Sequence, residues 1–302
     1  MKRNLLLILV ALLSCNIYSQ SETVSLRIMT YNIRHGAGMD DVVDLDRQAK
    51  IIQDAKPDVV GLQEVDSIVP RSGKVDETGY FAEYLGMYGT YGPAIPLSGG
   101  KYGVAILSKE RPMSVRNTPL PGKEPRTLLV CEFQNYVFAC THLDLEEANR
   151  IASLPIIIEE ASRYDNPFFN CGDWNDTPSS TLISKMKQDF AFLNYINNTS
   201  SAYTFPANKP TSTIDYIASY GRVVKSIRNR KVLNEPVASD HRPVILEVRF
   251  DLPTSILPIS TESGTETDDI VCDLTGKRVA KGNKFPGIFI TKSKRKKVVG
   301  TQ

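Results

Sequence analysis

The chain has 302 residues, of which 41% are hydrophobic and 23% charged, with a formal net charge of +2. Such a composition can bury a substantial core and excludes disorder as the main state, and the length suits one large domain with appendages. The charge is uneven: residues 268–302 hold nine Lys or Arg against three Asp, which leaves the main body acidic and argues against general nucleic-acid binding, an affinity drawn from phosphate neutralisation.

In chain order, Met1-Lys2-Arg3-Asn4 and then the uncharged stretch Leu5 to Leu13 read as a secretory signal over residues 1–20, too short to span a membrane comfortably. Its end has two readings. Leu12-Leu13-Ser14-Cys15 resembles a bacterial lipoprotein box, which would tether the protein to a membrane through lipidated Cys15, whereas Tyr18-Ser19-Gln20 suits ordinary cleavage. The expected location is the periplasm, outer membrane or exterior of a Gram-negative cell.

Period-2 apolar runs near 25–32, 58–64, 103–108, 127–133, 136–142, 167–172, 213–219 and 243–249 predict strands. Helical spacing appears from Asp44, with Leu45, Ala49 and Ile52 on one face and Pro57 as the stop. Further helices are expected over 76–86, with Gly86 ending the segment, over about 145–163, bent at Pro155, and after the N-caps Ser179-Ser180. Too many strands for simple βαβ alternation imply two packed sheets with helices outside.

Export would place the five cysteines in an oxidising compartment. A hairpin turn at Gln134-Asn135 sets Cys131 opposite Phe138 and Cys140 opposite Leu129, a diagonal placement that disfavours a disulfide. Together with Cys171 in Phe168-Phe169-Asn170-Cys171, these are expected to be core thiols. Residues 252–267, rich in Pro, Ser and Thr, read as a linker. Beyond it, strands over 270–279 and 287–290 form a small module over 268–302 that resembles the C-terminal sorting modules of exported Gram-negative proteins; a disordered basic tail is the alternative.

The residues that carry chemistry lie at strand mouths. His241 stands in Ser239-Asp240-His241-Arg242-Pro243 just before an apolar strand, and His142 ends another. Gly172-Asp173-Trp174-Asn175-Asp176 follows a third, where a carboxylate and an amide two residues apart can hold a water. Glu64 and Asn32 are polar groups within buried strand patterns, and oxygen donors of this kind suit a hard cation such as Mg²⁺ or Mn²⁺. Asp215, between apolar neighbours in Ile214-Asp215-Tyr216-Ile217, needs a buried partner, for which a histidine is the obvious choice.

Seven ordered pieces, TYN (30–32), LQEVD (62–66), YGVAILS (102–108), THLD (141–144), GDWND (172–176), IDYI (214–217) and SDHRP (239–243), resemble the endonuclease/exonuclease/phosphatase superfamily of DNase I-like hydrolases over residues 25–250. The resemblance implies a four-layer α/β/β/α sandwich of two mixed sheets over a catalytic domain spanning 21–251. It implies phosphoester hydrolysis by in-line attack of water with Mg²⁺ or Mn²⁺ held by Glu64, Asn32 and Asp240. Asp173 and Asn175 would align the water, His241 oriented by Asp215 would act as base or bind phosphoryl oxygens, and His142 would sit on the phosphate or near the leaving oxygen.

Two departures stand out. Trp174 replaces the phenylalanine more usual in that motif, and the segment 66–101 offers no helix suited to the DNA minor groove. Arg71 is a candidate contact for a substrate phosphate. The expected partner is thus a phosphate-ester substrate of open class, without a stable nucleic-acid complex, for a monomeric enzyme; a nuclease acting on DNA or RNA is the alternative. A catalytically silent surface module of the same fold would have lost a central residue, and none is lost. A zinc hydrolase built on His35 and His142 lacks any supporting His-Glu-x-x-His spacing.

Overall fold

The computed structural model describes residues 23–195, 199–252, 271–272, 287–291 and 296–299. The expected signal segment with Cys15, and the linker beyond Leu252, lie outside the described residues. Along the chain run β1 (Thr23–Asn32), α1 (Leu45–Ala55), β2 (Val59–Ser67), α2 (Glu77–Leu85), β3 (Tyr88–Leu97), β4 (Gly100–Ser108), β5 (Ser114–Leu120) and β6 (Arg126–Glu132). There follow β7 (Val137–His142), α3 (Glu147–Ala161), β8 (Phe168–Asp173), α4 (Thr181–Asp189), β9 (Phe190–Phe192), β10 (Asp215–Tyr220), β11 (Val224–Val232) and β12 (Val244–Asp251).

These strands form two six-stranded sheets, ordered β11-β12-β1-β2-β4-β3 and β5-β6-β7-β8-β10-β9. Each is mixed: β1 with β2 and β7 with β8 are parallel, and each parallel pair is joined by a helix, α1 and α3 respectively. The side-chain alternation of the strands feeds three apolar layers. Leu26, Ile28, Val104 and Leu246 of one sheet meet Leu129, Phe138, Phe169 and Ile217 of the other between the sheets. Met29, Leu62 and Leu107 pack outward on Ala49 and Ile52 of α1 and Phe81 of α2. Leu128, Val137 and Phe168 pack on Leu154 and Ile157 of α3 and Leu182 and Met186 of α4. Two sheets face to face with a helical layer on each outer side make the expected four-layer sandwich.

The helix ends follow from local chemistry. Asp44 accepts a hydrogen bond from the Arg47 N–H at the start of α1, Ser180 accepts one from Ile183 at the start of α4, and Gly86 takes a positive φ of 63° to end α2. Pro155 lies inside the continuous α3. The β6–β7 hairpin pairs Cys131 with Phe138 and Leu129 with Cys140, so the cysteines are diagonal as expected; Cys131, Cys140 and Cys171 are all buried free thiols.

Gly172 sets how closely β8 approaches β7. It has φ +152°, and a Cβ there would lie 1.8 Å from the Thr141 carbonyl oxygen, a backbone atom that cannot swing aside. Gly172→Ala is expected to cost about 3 kcal/mol, read as a lower urea midpoint at unchanged m-value; an unshifted midpoint would contradict this packing.

The C-terminal unit, which begins at Thr254, contains an antiparallel sheet of β13 (Val271–Cys272), β14 (Gly287–Thr291) and β15 (Lys296–Val299). The basic run near the terminus thus enters a strand. Among the described residues, no helix is long and apolar enough to cross a membrane.

Candidate active site

The two helical crossovers bring the carboxyl ends of β1, β2, β7 and β8 to one edge of the sandwich, where the amino ends of the antiparallel β10 and β12 also arrive. Open sheets place ligand sites at such carboxyl ends. Asp173 is central: the sheet register sets it beside His142 on β7 and Asp215 on β10. Asn32, from the other sheet, donates to Asp173 Oδ2 at 3.1 Å and to Glu64 Oε1 at 3.0 Å, so one amide joins the two sheets at the site.

Glu64 sits in a register shift of β2, between Gln63 and Val65, and has φ +59°. A left-handed glutamate is strained, and a bulge re-aims the side chain that ordinary alternation would direct elsewhere. Among the described residues its second carboxylate oxygen accepts no hydrogen bond. Burial pushes the Glu64 carboxyl above its usual range; the Asn32 hydrogen bond opposes this, and the nearby charge of Asp240 adds to it. A buried carboxylate raised by a second carboxylate is an environment that a hard cation relieves, and the oxygen donors of Glu64 and Asp240 fit Mg²⁺ or Mn²⁺. The Asn32 side-chain oxygen accepts from the Arg34 N–H at 3.0 Å, which leaves its second lone pair for a cation.

His241 Nδ1 lies 2.9 and 3.2 Å from the two Asp215 oxygens, and its Nε2 lies 3.6 Å from Asp173 Oδ2. Burial would lower its pKa, but the charges of Asp215 and then Asp173 overcome that and carry it up to about 10. Asp173, fully buried, is raised by desolvation, against the pull of His241. Asp173, Asp215 and His241 have ligand atoms within 4.8 Å of one another and form the group of metal-capable side chains found among the described residues; neither His35 nor His142 belongs to it. These three already satisfy one another by hydrogen bonding and charge, which favours the Glu64 side for a cation.

The Asn175 amide nitrogen lies 3.0 Å from His142 Nε2 and donates to the Leu143 carbonyl at 2.9 Å, while its backbone N–H donates to Asp173 Oδ1 at 2.9 Å. On the far side of the ring, His142 Nδ1 is 3.5 Å from the Tyr102 hydroxyl and 3.4 Å from the Arg126 guanidinium. Burial, then the Arg126 charge, then that of His241, lower the His142 pKa well below its usual value, so this ring is neutral while His241 is charged. Ser239 completes the frame by donating to the Asn32 carbonyl at 2.7 Å and accepting from the His241 N–H at 3.3 Å. Tyr102 opens the YGVAILS piece but carries no role there, and Arg126, one polar residue at the start of an apolar strand, belongs to no motif.

Arg71 stands beside this cluster. Its guanidinium forks onto the buried Asp66 with two 2.8 Å bonds and lies 5.4 Å from the Tyr102 ring centre, and its side chain is 41% exposed. Beneath it, Glu77 of α2 accepts the Asp66 N–H at 2.7 Å while its other oxygen is buried and unpaired. Burial, despite that bond and with help from the Asp66 charge, pushes the Glu77 pKa from 4.5 up to about 8. The unfolded carboxyl loses its proton first as pH rises, so Glu77 costs no stability in acid and progressively more toward pH 8, at about 1.4 kcal/mol per pKa unit. Glu77→Gln, which keeps the acceptor without the charge, is expected to gain stability over the parent between pH 5 and 9. Parallel pH slopes in urea unfolding would contradict this.

Residues 29–241 match the model of the Endonuclease/Exonuclease/phosphatase family. A search of curated proteins returned no match. Among solved structures, an endonuclease/exonuclease/phosphatase from Beutenbergia cavernae is 22% identical with a TM-score of 0.63, and the match covers 88% of each chain. A family protein from Bacteroides thetaiotaomicron is 20% identical, with a TM-score of 0.62 over 77% of this chain and 97% of its own. A mannosyl-6-phosphatase from the same species is 18% identical, with a TM-score of 0.59 over 74% of this chain and 99% of its own. With a family model spanning most of its length and this sandwich beneath it, the chain belongs to the endonuclease/exonuclease/phosphatase family.

Proposed function

We propose that this protein is an exported, divalent-metal-dependent phosphoesterase that hydrolyses its substrate by in-line attack of water at phosphorus. The observation that carries the reading is the junction at Asp173, where one buried carboxylate meets Asn32, Asn175, His142 and His241 at the sheet mouths. Members of this family are hydrolases acting on phosphate esters, and the similar folds include a mannosyl-6-phosphatase and a 2′,3′-cyclic phosphatase.

Glu64 and Asp240 would hold Mg²⁺ or Mn²⁺, with Asn32 alongside; when bound, the cation supplies Lewis-acid stabilisation of charge on the phosphoryl oxygens. Asp173 and Asn175 hold the attacking water, whose oxygen forms a bond to phosphorus while the bond to the leaving oxygen breaks. The water's proton passes to Asp173, and the leaving oxygen departs with the bonding electron pair and takes its proton from solvent water. His241, charged and held by Asp215, faces the phosphoryl oxygens, where a fixed positive charge offsets what develops in the transition state. The neutral His142 is held between Asn175 and Tyr102 as a hydrogen-bonding group beside the phosphate. Arg71, part-exposed beside the cluster, is the contact for a substrate phosphate. Export rests on the basic start and the apolar stretch of residues 5–13.

The reading is tested by presenting the purified protein with bis-nitrophenyl phosphate, plasmid DNA, sphingomyelin and inositol phosphates, with Mg²⁺ or with EDTA. Hydrolysis of at least one, abolished by EDTA and restored by Mg²⁺ or Mn²⁺, is expected; undiminished turnover in EDTA would overturn it.

A further inference from the structure

Arg150 touches none of the reacting groups, yet it joins the segments that carry them. It lies in the first turn of α3 and its side chain is buried. Nε donates to Asp176 Oδ2 at 3.0 Å, and Nη1 donates to the carbonyls of Asp144 at 3.1 Å and Leu145 at 2.5 Å. Those carbonyls belong to the segment that leaves β7 just after His142. Asp176 belongs to the segment that leaves β8, immediately after Asn175. The Asp176 carbonyl in turn accepts the Tyr216 hydroxyl at 2.8 Å, and Tyr216 follows Asp215. One guanidinium therefore ties together the supports of His142 and Asn175.

A purely structural role is the simpler alternative: a buried ion pair that docks α3. Buried pairs, however, contribute little net stability once desolvation is counted, and apolar pairs of similar volume replace them at little cost. Docking a helix also needs no bonds to two successive loop carbonyls. A planar fork with several donors does need to be an arginine if it is to hold three acceptors at once, which a lysine ammonium on a flexible stem does less well. The hydrogen bonds that Asn175 makes to Leu143 and His142 span the same two segments, so their geometry depends on the spacing Arg150 sets.

We infer that Arg150 is a positioning residue, which holds the His142 and Asn175 segments in register over Asp173. This rests on the proposed hydrolysis for its kinetic consequence but not for its structural one. Displacing a catalytic group by about 1 Å can cost about 10²-fold in rate.

The test uses the full-length protein with Arg150→Lys and, separately, Arg150→Met combined with Asp176→Leu, which removes both charges together and leaves no buried ion unpaired. Thermal unfolding, kcat and KM on bis-nitrophenyl phosphate with Mg²⁺, and the ring NMR signals of the three histidines are measured. The double variant is expected to melt within a few degrees of the parent, to lose about 10- to 100-fold in kcat with KM within about threefold, and to shift the His142 signal while that of His241 stays in place. If the double variant does not fold, Arg150→Lys is expected to show the same kcat loss and His142 shift in smaller measure. A folded variant with unchanged kcat and an unmoved His142 signal would overturn the inference, as would equal shifts at all three histidines. If the parent hydrolyses no phosphoester, the proposed function fails by itself, and the His142 signal alone decides for or against Arg150.

Discussion

Replacing His241 is expected to lower kcat/KM on bis-nitrophenyl phosphate by about 10³-fold, the scale of a lost fixed charge facing the transition state. The imidazole is bracketed by two buried carboxylates, 2.9 Å from Asp215 and 3.6 Å from Asp173, and this bracket keeps it protonated at neutral pH. His241→Ala would leave both carboxylates buried without their counter-charge, which costs about 3–5 kcal/mol and confuses kinetics with unfolding. His241→Gln is the cleaner variant, since its amide can still donate to Asp215 but carries no charge. A folded Gln variant within tenfold of the parent would remove His241 from the reaction.

Glu64→Ala is expected to lower kcat/KM by about 10³-fold, equivalent to about 4 kcal/mol of transition-state stabilisation supplied through the cation. The structural reason is the bulge in β2: a glutamate is held at φ +59° with one oxygen fixed by Asn32 and the other accepting no hydrogen bond among the described residues. The same variant separates the cation from the chemistry, because Mg²⁺ is expected to raise the melting temperature of the parent and not that of Glu64→Ala. Equal Mg²⁺ stabilisation in both would move the cation to the Asp173, Asp215 and His241 group.

All eight strands expected over residues 25–250 from apolar periodicity form, and the four further strands of the two six-stranded sheets, β3, β5, β9 and β11, are the sheet edges. The reason is physical. An interior strand is covered by neighbours and layers and must be apolar, whereas an edge strand is blunted with charge, proline or brevity to prevent pairing with another chain. β11 reads Val-Lys-Ser-Ile-Arg-Asn-Arg-Lys-Val, β3 contains Pro93 and Pro96, and β9 has three residues. Nothing in such segments alternates clearly enough to be read.

The site was legible to a similar depth. His142, Asp173, Asn175, Asp215, His241, Asn32 and Glu64 stand at strand ends in the sequence, and the sheet register brings them together. The facing of each group was hidden. The Asn32 nitrogen donates to Glu64 and Asp173 while its oxygen accepts the Arg34 N–H. A bulge one residue long re-aims Glu64, and Arg71 is taken up by Asp66 on one side while its other edge stays exposed. Tyr102, Arg126 and Arg150 gain their meaning only from the folded positions of their partners, His142 for the first two and Asp144, Leu145 and Asp176 for the third.

The most direct test of water attack at phosphorus is hydrolysis of bis-nitrophenyl phosphate by the full-length protein in ¹⁸O-enriched water with Mg²⁺. The expected result is a single ¹⁸O in the nitrophenyl phosphate product and none in nitrophenol. Label in the nitrophenol, or no metal-dependent product at all, would contradict it.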